Sequence, residues 1–530
     1  MVKKIFLLSS ISLLLATSCR KDKTTWDTDW VVPIVNDTLS LKNLVNDSTL
    51  AIDVNSFYTV DLSRTILNIG LADILTIPDT TINQLFSLTT GTLSVPPGFN
   101  IVNQIEEHDI NIPSMELKKI HVSNGAIKVK VFNPLPTIAF FTVQLPGVTK
   151  DGVEFTQNYA APPGSITNPG VANATLDLSN YWLDLTGEFG TDYNVLQSKL
   201  IINSDPAGPT VTISSAQDFK VEAEFKDLKI DYARGYFGNI VVTDTSSYTI
   251  DLMQNVISGT IDLPQTEIRF EIENGLKVSS RATITQVANT NVAGNTVNLT
   301  SAQMGNPIYL NQATGSWSTL TPSNQTIEFN SLNSNVEEYL ENLGVTHTVG
   351  YKIELNPYGN VSGGYDEIFP TSRLKVKLKA QLPLTIGVDG LTLKDTFNLD
   401  IKQDLEKSHL ESGDIVLNVT NAFPFKGAVK LYLLNDQGQT LYTVIATAPI
   451  QSSLYGTLDA VDGLLKQKSE IHIVLTDAML ADLELIKKVS LEVRLDTPDP
   501  LTSLNQQVAV PAGAFMAVKM KALFRVKAII

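Results

Sequence analysis

An internal repeat constrains the fold of this chain more than any other feature. Residues 121–136 (HVSNGAIKVKVFNPLP) align without gaps on residues 409–424 (HLESGDIVLNVTNAFP), 288 positions downstream. The match continues with Val143 and Leu145 over Leu431 and Leu433, and the glycines Gly152 and Gly438 correspond after a two-residue slip. A weaker copy lies between, where Ile268, Phe270, Ile272, Asn274 and Leu276 match Ile127 to Leu135 at an offset of 141. Within each copy apolar residues recur at every second position, as they do on a strand with one buried and one wet face. Each copy ends on an Asn, and two of the three reach a Pro three residues later. Asn tolerates left-handed backbone and Pro presets a turn angle, so a sharp strand end is expected there.

Copies spaced about 140 to 150 residues apart are too long for a β-solenoid and suit a β-meander or sandwich unit. A second kind of segment follows each copy: residues 219–238, 374–384 and 517–530 all look like long strands, the first two leading to a bend and the last pinning the end of the chain. Helices look like accessories, the clearest at 336–343 before Gly344 and at 477–486. The expected fold is mainly β, with tandem β-sandwich-like modules and a few short accessory helices. The expected partition is 1–18 as a signal peptide, 19–115 as an N-terminal β region, and modules at 116–250, 251–400 and 401–530.

The single cysteine, Cys19, follows Lys3, Lys4, an apolar stretch at 5–15 and the small residues Ala16, Thr17 and Ser18. That stretch is too short to span a bilayer. The arrangement resembles the bacterial lipoprotein signal, with Ala16 where Leu is usual, and the resemblance implies that Cys19 is acylated by palmitate-like chains and becomes the first mature residue. Arg20 after the cysteine, in place of Asp, implies the outer membrane, and Lys21-Asp22 partly matches a surface-export tag; periplasmic face or cell surface is left open. Loss of Lys3 and Lys4 leaves 37 basic against 55 acidic residues, a formal charge of −18. That charge excludes nucleic acid as a partner. With Cys19 lipidated, no disulfide forms within one chain, so stability must come from burial and paired sheets.

Three further segments carry a resemblance. Residues 26–45, with Trp26, Trp30 and Pro33, residues 332–340 and residues 383–396 are similar to a set of uncharacterised Bacteroidota outer-membrane lipoproteins. The resemblance implies an envelope location and a β architecture, and it carries no chemistry. It also implies candidate O-glycosylation at Thr38, Ser48 and Thr80, each after an Asp and before a residue bearing a methyl group; Asp395-Thr396-Phe397 departs at the third place. The competing reading is that Asp-Thr and Asp-Ser start turns. Trp26 and Trp30 belong either at a membrane interface or in the first domain's core.

No nucleophile elbow, zinc-protease pair, phosphate loop or calcium-loop spacing occurs, so no enzyme, cofactor or metal is expected. Among the histidines His108, His121, His347, His409 and His472, the pair His121 and His409 occupies one place in the repeat, which points to a framework role. Glu106-Glu107-His108-Asp109 is the densest acidic group beside a histidine. Alternation along a strand would keep it from converging on an ion, and a solvated loop is expected. Residues 231–238 contain Tyr232, Arg234, Tyr236 and Phe237, types favoured at binding surfaces. They suit equally a packed bend in which Gly235 and Gly238 supply unusual backbone angles, and the bend is preferred.

These readings converge on a non-catalytic binding or scaffolding component of the envelope, held to the membrane through Cys19 and partnered by other envelope proteins. Two alternatives stand beside it: a carrier of lipid or another apolar ligand in a β-lined groove, and a surface glycan binder or adhesin.

Overall fold

The structure is a computed structural model and describes residues 25–40, 50–87, 91–250, 256–264, 266–399, 408–498 and 507–529. The chain is mainly β, as expected. Among the described residues the α-helices are Leu71–Ile74, Val336–Glu341 and Asp477–Ala481, so the two expected helices exist and end early.

The repeat copies become the inner strands Glu116–Asn133, Glu267–Asn274 and Ser408–Asn421. Their alternation sends Ile127, Val129 and Val131, then Ile268, Phe270 and Ile272, then Ile415, Leu417 and Val419 into the cores. Each copy pairs with a segment of the second kind, the antiparallel strands Phe219–Tyr236, Arg373–Pro383 and Phe515–Ile529. The equivalence extends to the other flank, where Gly170–Asp177, Ser323–Asn330 and Leu465–Val474 pair with the three copies.

The edge strand of each of these sheets comes from far away. Thr80–Phe86 pairs with Phe219–Tyr236, Tyr58–Gly70 with Arg373–Pro383, and Thr25–Ser40 with Phe515–Ile529. The stretch from 25 to 86 therefore gives one strand to the third unit, then one to the second, then one to the first. The expected N-terminal β region at 19–115 does not form a sheet of its own, and the three sandwiches are not consecutive blocks of chain. Hydrogen-bonded edges can be completed by any segment of suitable pattern, whatever its distance along the sequence.

A second sheet covers each of the first. Its strands run in the order Asn100–Asp109, Val195–Ser204, Ala139–Lys150, Val153–Ala161 in unit one. The order is Ile240–Thr249, Thr346–Leu355, Ser280–Thr290, Thr296–Asn298 in unit two, and Thr385–Asn398, Lys488–Asp496, Lys426–Leu434, Thr440–Ile445 in unit three. Counting strands in chain order within a unit, the sheets read 1-8-3-6 and 2-7-4-5, which is the double Greek key of a jelly roll. In unit one Tyr181–Asp184 bridges the two sheets. The buried residues form one cluster shared by units one and two and a second cluster in unit three that also takes in Tyr58.

The repeated asparagines close the corner between the two sheets. Asn133, Asn274 and Asn421 have no exposed surface. Each Oδ1 accepts the N–H two residues on, from Leu135, Leu276 and Phe423 at 2.9–3.0 Å. Each Nδ2 donates to a main-chain carbonyl of the returning chain, Pro162, Asn311 or Gln451, at 2.8–2.9 Å. None of the three has positive φ, so the sequence-based reason was incomplete: the residue is needed for its carboxamide, which satisfies buried backbone groups. The hairpin after it does need left-handed backbone, with Gly152 at φ +79°, Gly294 at +85° and Gly438 at +80°.

Candidate binding site at the junction of the first two units

Residues 231–238, expected as a bend, are instead the end of the strand Phe219–Tyr236 and the two residues after it, with the pairing register shifting between Ile230 and Tyr232 and between Arg234 and Gly235, where unit two packs on unit one. Gly235 and Gly238 have φ of +159° and +75°. A Cβ on Gly235 would run into the Glu116 carbonyl, and one on Gly238 would lie 2.6 Å from the Ser114 carbonyl oxygen. Tyr232 and Phe237 are buried, while Arg234 and Tyr236 are half-buried. The Tyr232 ring centroid is 5.3 Å from those of Trp182 and Phe369 and 5.5 Å from that of Trp317. Trp182 belongs to unit one, and Trp317 and Phe369 to unit two. His121 completes the cluster, 4.7 Å from Trp182 and 5.3 Å from Trp317, with its Nδ1 bonded to Asp231 Oδ1 at 2.6 Å. The Tyr232 hydroxyl donates to Glu367 Oε1 at 2.7 Å, and Lys277 pairs with the same carboxylate. Burial, followed by the Glu367 contact, pushes the Tyr232 phenol well above its ordinary range. The binding-surface candidate Tyr232 is thus covered by the contact between units, and Phe237 is buried in the core.

The exposed part of this junction is aromatic as well. Two segments of unit two, 305–321 and 356–365, carry Tyr309, Trp317, Tyr358 and Tyr365, exposed by 55%, 39%, 61% and 63%. The rings of Tyr309 and Tyr358 lie 21° from parallel with centroids 6.3 Å apart, and their hydroxyls are hydrogen-bonded to each other. Tyr309 sits on the strand Ile308–Leu310, directly opposite Arg281. Arg281 holds Glu354 through two bonds of 2.6 and 3.1 Å, and its guanidinium carbon lies 5.8 Å from the Tyr358 ring centroid. Lys352 joins Glu354 at 3.0 Å. The Arg281 bond, with Lys352 behind it, holds the Glu354 carboxyl down at about 2. Hydrogen bonds from Tyr358 and Arg281 lower the Tyr309 phenol, and the bond to Tyr309 raises that of Tyr358. Lys118 of unit one lies 4.5 Å from the Tyr365 ring centroid and bonds the Gly363 carbonyl at 3.0 Å, so both units border this face. The sequence analysis did not single out Tyr309 or Tyr358. Each follows an Asn-Pro pair, at 306–307 and 356–357, and that turn signal next to an aromatic residue was the available clue.

Elsewhere the structure rearranges several sequence-based expectations. Glu106-Glu107-His108-Asp109 is the end of the strand Asn100–Asp109 and not a loop. His108 turns toward Ser198, 2.7 Å away, and burial lowers its pKa. Among the described residues no group of three or more acidic, His or Cys side chains could hold a metal. His121 and His409 lie within strands, where the sequence analysis put them just before one; the side chain of His409 lies outside the described residues. Thr38 is exposed on the edge strand, its N–H donating to Asp37 Oδ1 at 2.7 Å. Thr80 is half-buried and donates to the Pro78 carbonyl at 3.0 Å. Trp30 is half-buried against the core of unit three. Cys19 and Ser48, and the side chain of Trp26, lie outside the described residues.

The interior of unit one leaves an apolar void of about 10 Å³ beside Ile77, Ile110, Phe225 and Leu228, room for no more than a water molecule. A hollow of about 260 Å³ on the outer face of unit two is bordered by Glu271, Glu273, Asn324, Lys375 and Lys377, a charged surface unsuited to an acyl chain.

No protein-family model matches the chain, and no curated protein matches it. A crystal structure of a Parabacteroides distasonis protein provisionally named as secreted aligns over 94% of this chain and 99% of its own, at 8% identity and a TM-score of 0.25. The structure of Sulfolobus Turreted Icosahedral Virus aligns over 85% and 90% at 10% identity and a TM-score of 0.11. Likenesses of this size bear on neither fold nor function.

Proposed function

We propose that this protein is a lipid-anchored outer-membrane lipoprotein that acts as a non-catalytic binding or scaffolding element of the envelope. The observation that carries the reading is the pairing of Thr25 with Ile529 at the edge of unit three. Only six positions separate Cys19 from Thr25, so a lipid on Cys19 tethers the molecule through its third unit. Two or more acyl chains suffice for stable anchoring, whereas one does not. The charged exterior hollow of unit two and the small size of the void in unit one favour this reading over that of a lipid carrier.

Metabolic labelling with radioactive palmitate, compared between the native chain and Cys19→Ala, tests the anchor. The native protein should take up label and partition with outer membranes, and equal labelling of the variant would end the anchoring reading. Detergent extraction through an affinity tag, with mass spectrometry of what co-purifies, identifies the envelope partners. The same spectra test glycan at Thr38, Ser48 and Thr80, where unmodified peptides at all three sites would dismiss that modification.

A further inference from the structure

We infer that the Tyr309–Tyr358 pair is a preformed platform for a neutral glycan. The inference rests on the reading of the protein as a binding element but not on its lipid anchor.

Three features of the pair point to sugar. The rings are more than half exposed, 6.3 Å apart and within 21° of parallel, so together they offer apolar ring surface to the C–H faces of pyranose rings. The rim of that surface is polar, with two phenol hydroxyls, Arg281 and Lys352 within one connected network. An acyl chain or apolar helix would have no use for such a rim, whereas sugar hydroxyls would. The Nε and Nη2 edge of Arg281 is already held by both oxygens of Glu354, so its charge is balanced by a carboxylate before any ligand arrives, which favours an uncharged ligand over a phosphate or carboxylate.

The platform is also held in place before any ligand arrives. Gln325 Nε2 donates to the Tyr309 carbonyl at 3.0 Å, while its Oε1 accepts the N–H of Asn311 at 2.7 Å. Tyr358 sits in a turn between buried Asn356 and Gly359, whose N–H returns to the Asn356 carbonyl at 3.0 Å. Little ordering remains to oppose binding, and preorganisation of this kind converts directly into affinity.

The test is native affinity electrophoresis of the full-length protein in the sugar-free detergent octaethylene glycol monododecyl ether, through gels containing galactomannan, xylan, laminarin or dextran. At least one of the four should retard the protein. The Y309A/Y358A double variant should bind that polysaccharide about tenfold more weakly or worse, as expected for loss of stacked aromatic surface. Y309F/Y358F, which keeps the rings, should stay within about threefold of the parent, a loss smaller than one hydrogen bond's typical worth. Both variants should melt with the parent, since the rings are exposed. Absence of retardation by all four polysaccharides would overturn the inference, as would full binding by the alanine variant, or retention of a proline-rich peptide in place of glycan. None of these outcomes alters palmitate labelling, so failure of the platform and failure of the anchor are separable.

Discussion

Asn133 and Asn421, 288 positions apart, build one corner with the same bonds. Each Nδ2 donates to the carbonyl four residues on, Thr137 at 2.8 Å and Phe425 at 3.0 Å, and to the returning chain at Pro162 and Gln451, both at 2.9 Å. Replacing either by Ala strands buried carbonyls and one N–H. Asn133→Ala and Asn421→Ala should each lose about 2–4 kcal/mol in urea unfolding. Losses below about 0.5 kcal/mol, the range of ordinary surface substitutions, would show that the corner is held by packing alone.

Two glycines with nearly equal backbone angles separate strain from crowding. Gly152 at φ +79° has open space where a Cβ would go, whereas at Gly238, φ +75°, the Ser114 carbonyl oxygen stands 2.6 Å from it. Gly152→Ala should cost about 1–2 kcal/mol, the left-handed penalty alone. Gly238→Ala should cost clearly more and loosen the junction, seen as a larger fall in melting temperature. Equal effects would contradict the close packing of Gly238 on Ser114.

His347 gives the second unit an acid sensitivity. It is buried, with Nδ1 against the Tyr339 hydroxyl at 2.8 Å and Nε2 at 3.0 Å from the Gly344 carbonyl. Burial lowers its pKa from the ordinary 6.5. The unfolded chain therefore binds the proton first, and stability that is whole above pH 6.5 declines as pH falls below it. Urea midpoints measured from pH 8 downward should fall for the parent and fall less steeply for His347→Gln. Parallel slopes would remove His347 as the cause.

The threading of the chain predicts where damage spreads. Deleting residues 25–40 from the mature protein removes the outer of the two partners of Phe515–Ile529 in unit three and leaves the strands of units one and two paired. Hydrogen exchange should quicken across 515–529 and stay unchanged across 219–236. Equal loss of protection in both would mean that the units unfold as one body.

Much of this architecture was legible in local pattern. Ile127, Val129 and Val131 alternate with lysines, and a strand with one dry face is the only element in which that period makes sense. The recurrence of Asn at 133, 274 and 421 marked three equivalent corners, though the angle expected of Asn was not the reason for it. Tyr309 and Tyr358 carried no comparable signal, because the pair depends on a short strand meeting a turn 49 residues further on, and each alone is ordinary.

The sequence by itself determined that the chain is β, that it holds three related units and that its long strands are half-buried, because side-chain period and turn chemistry act over a few neighbouring residues. Only the tertiary structure decided that the first strand belongs to the last unit, that Tyr232 is covered while Tyr358 is open, and that Arg281 is held by Glu354. Those facts depend on which edges meet in space. A strand edge exposes the same backbone donors and acceptors whatever its place in the chain, so its partner is chosen by the burial that the whole fold achieves.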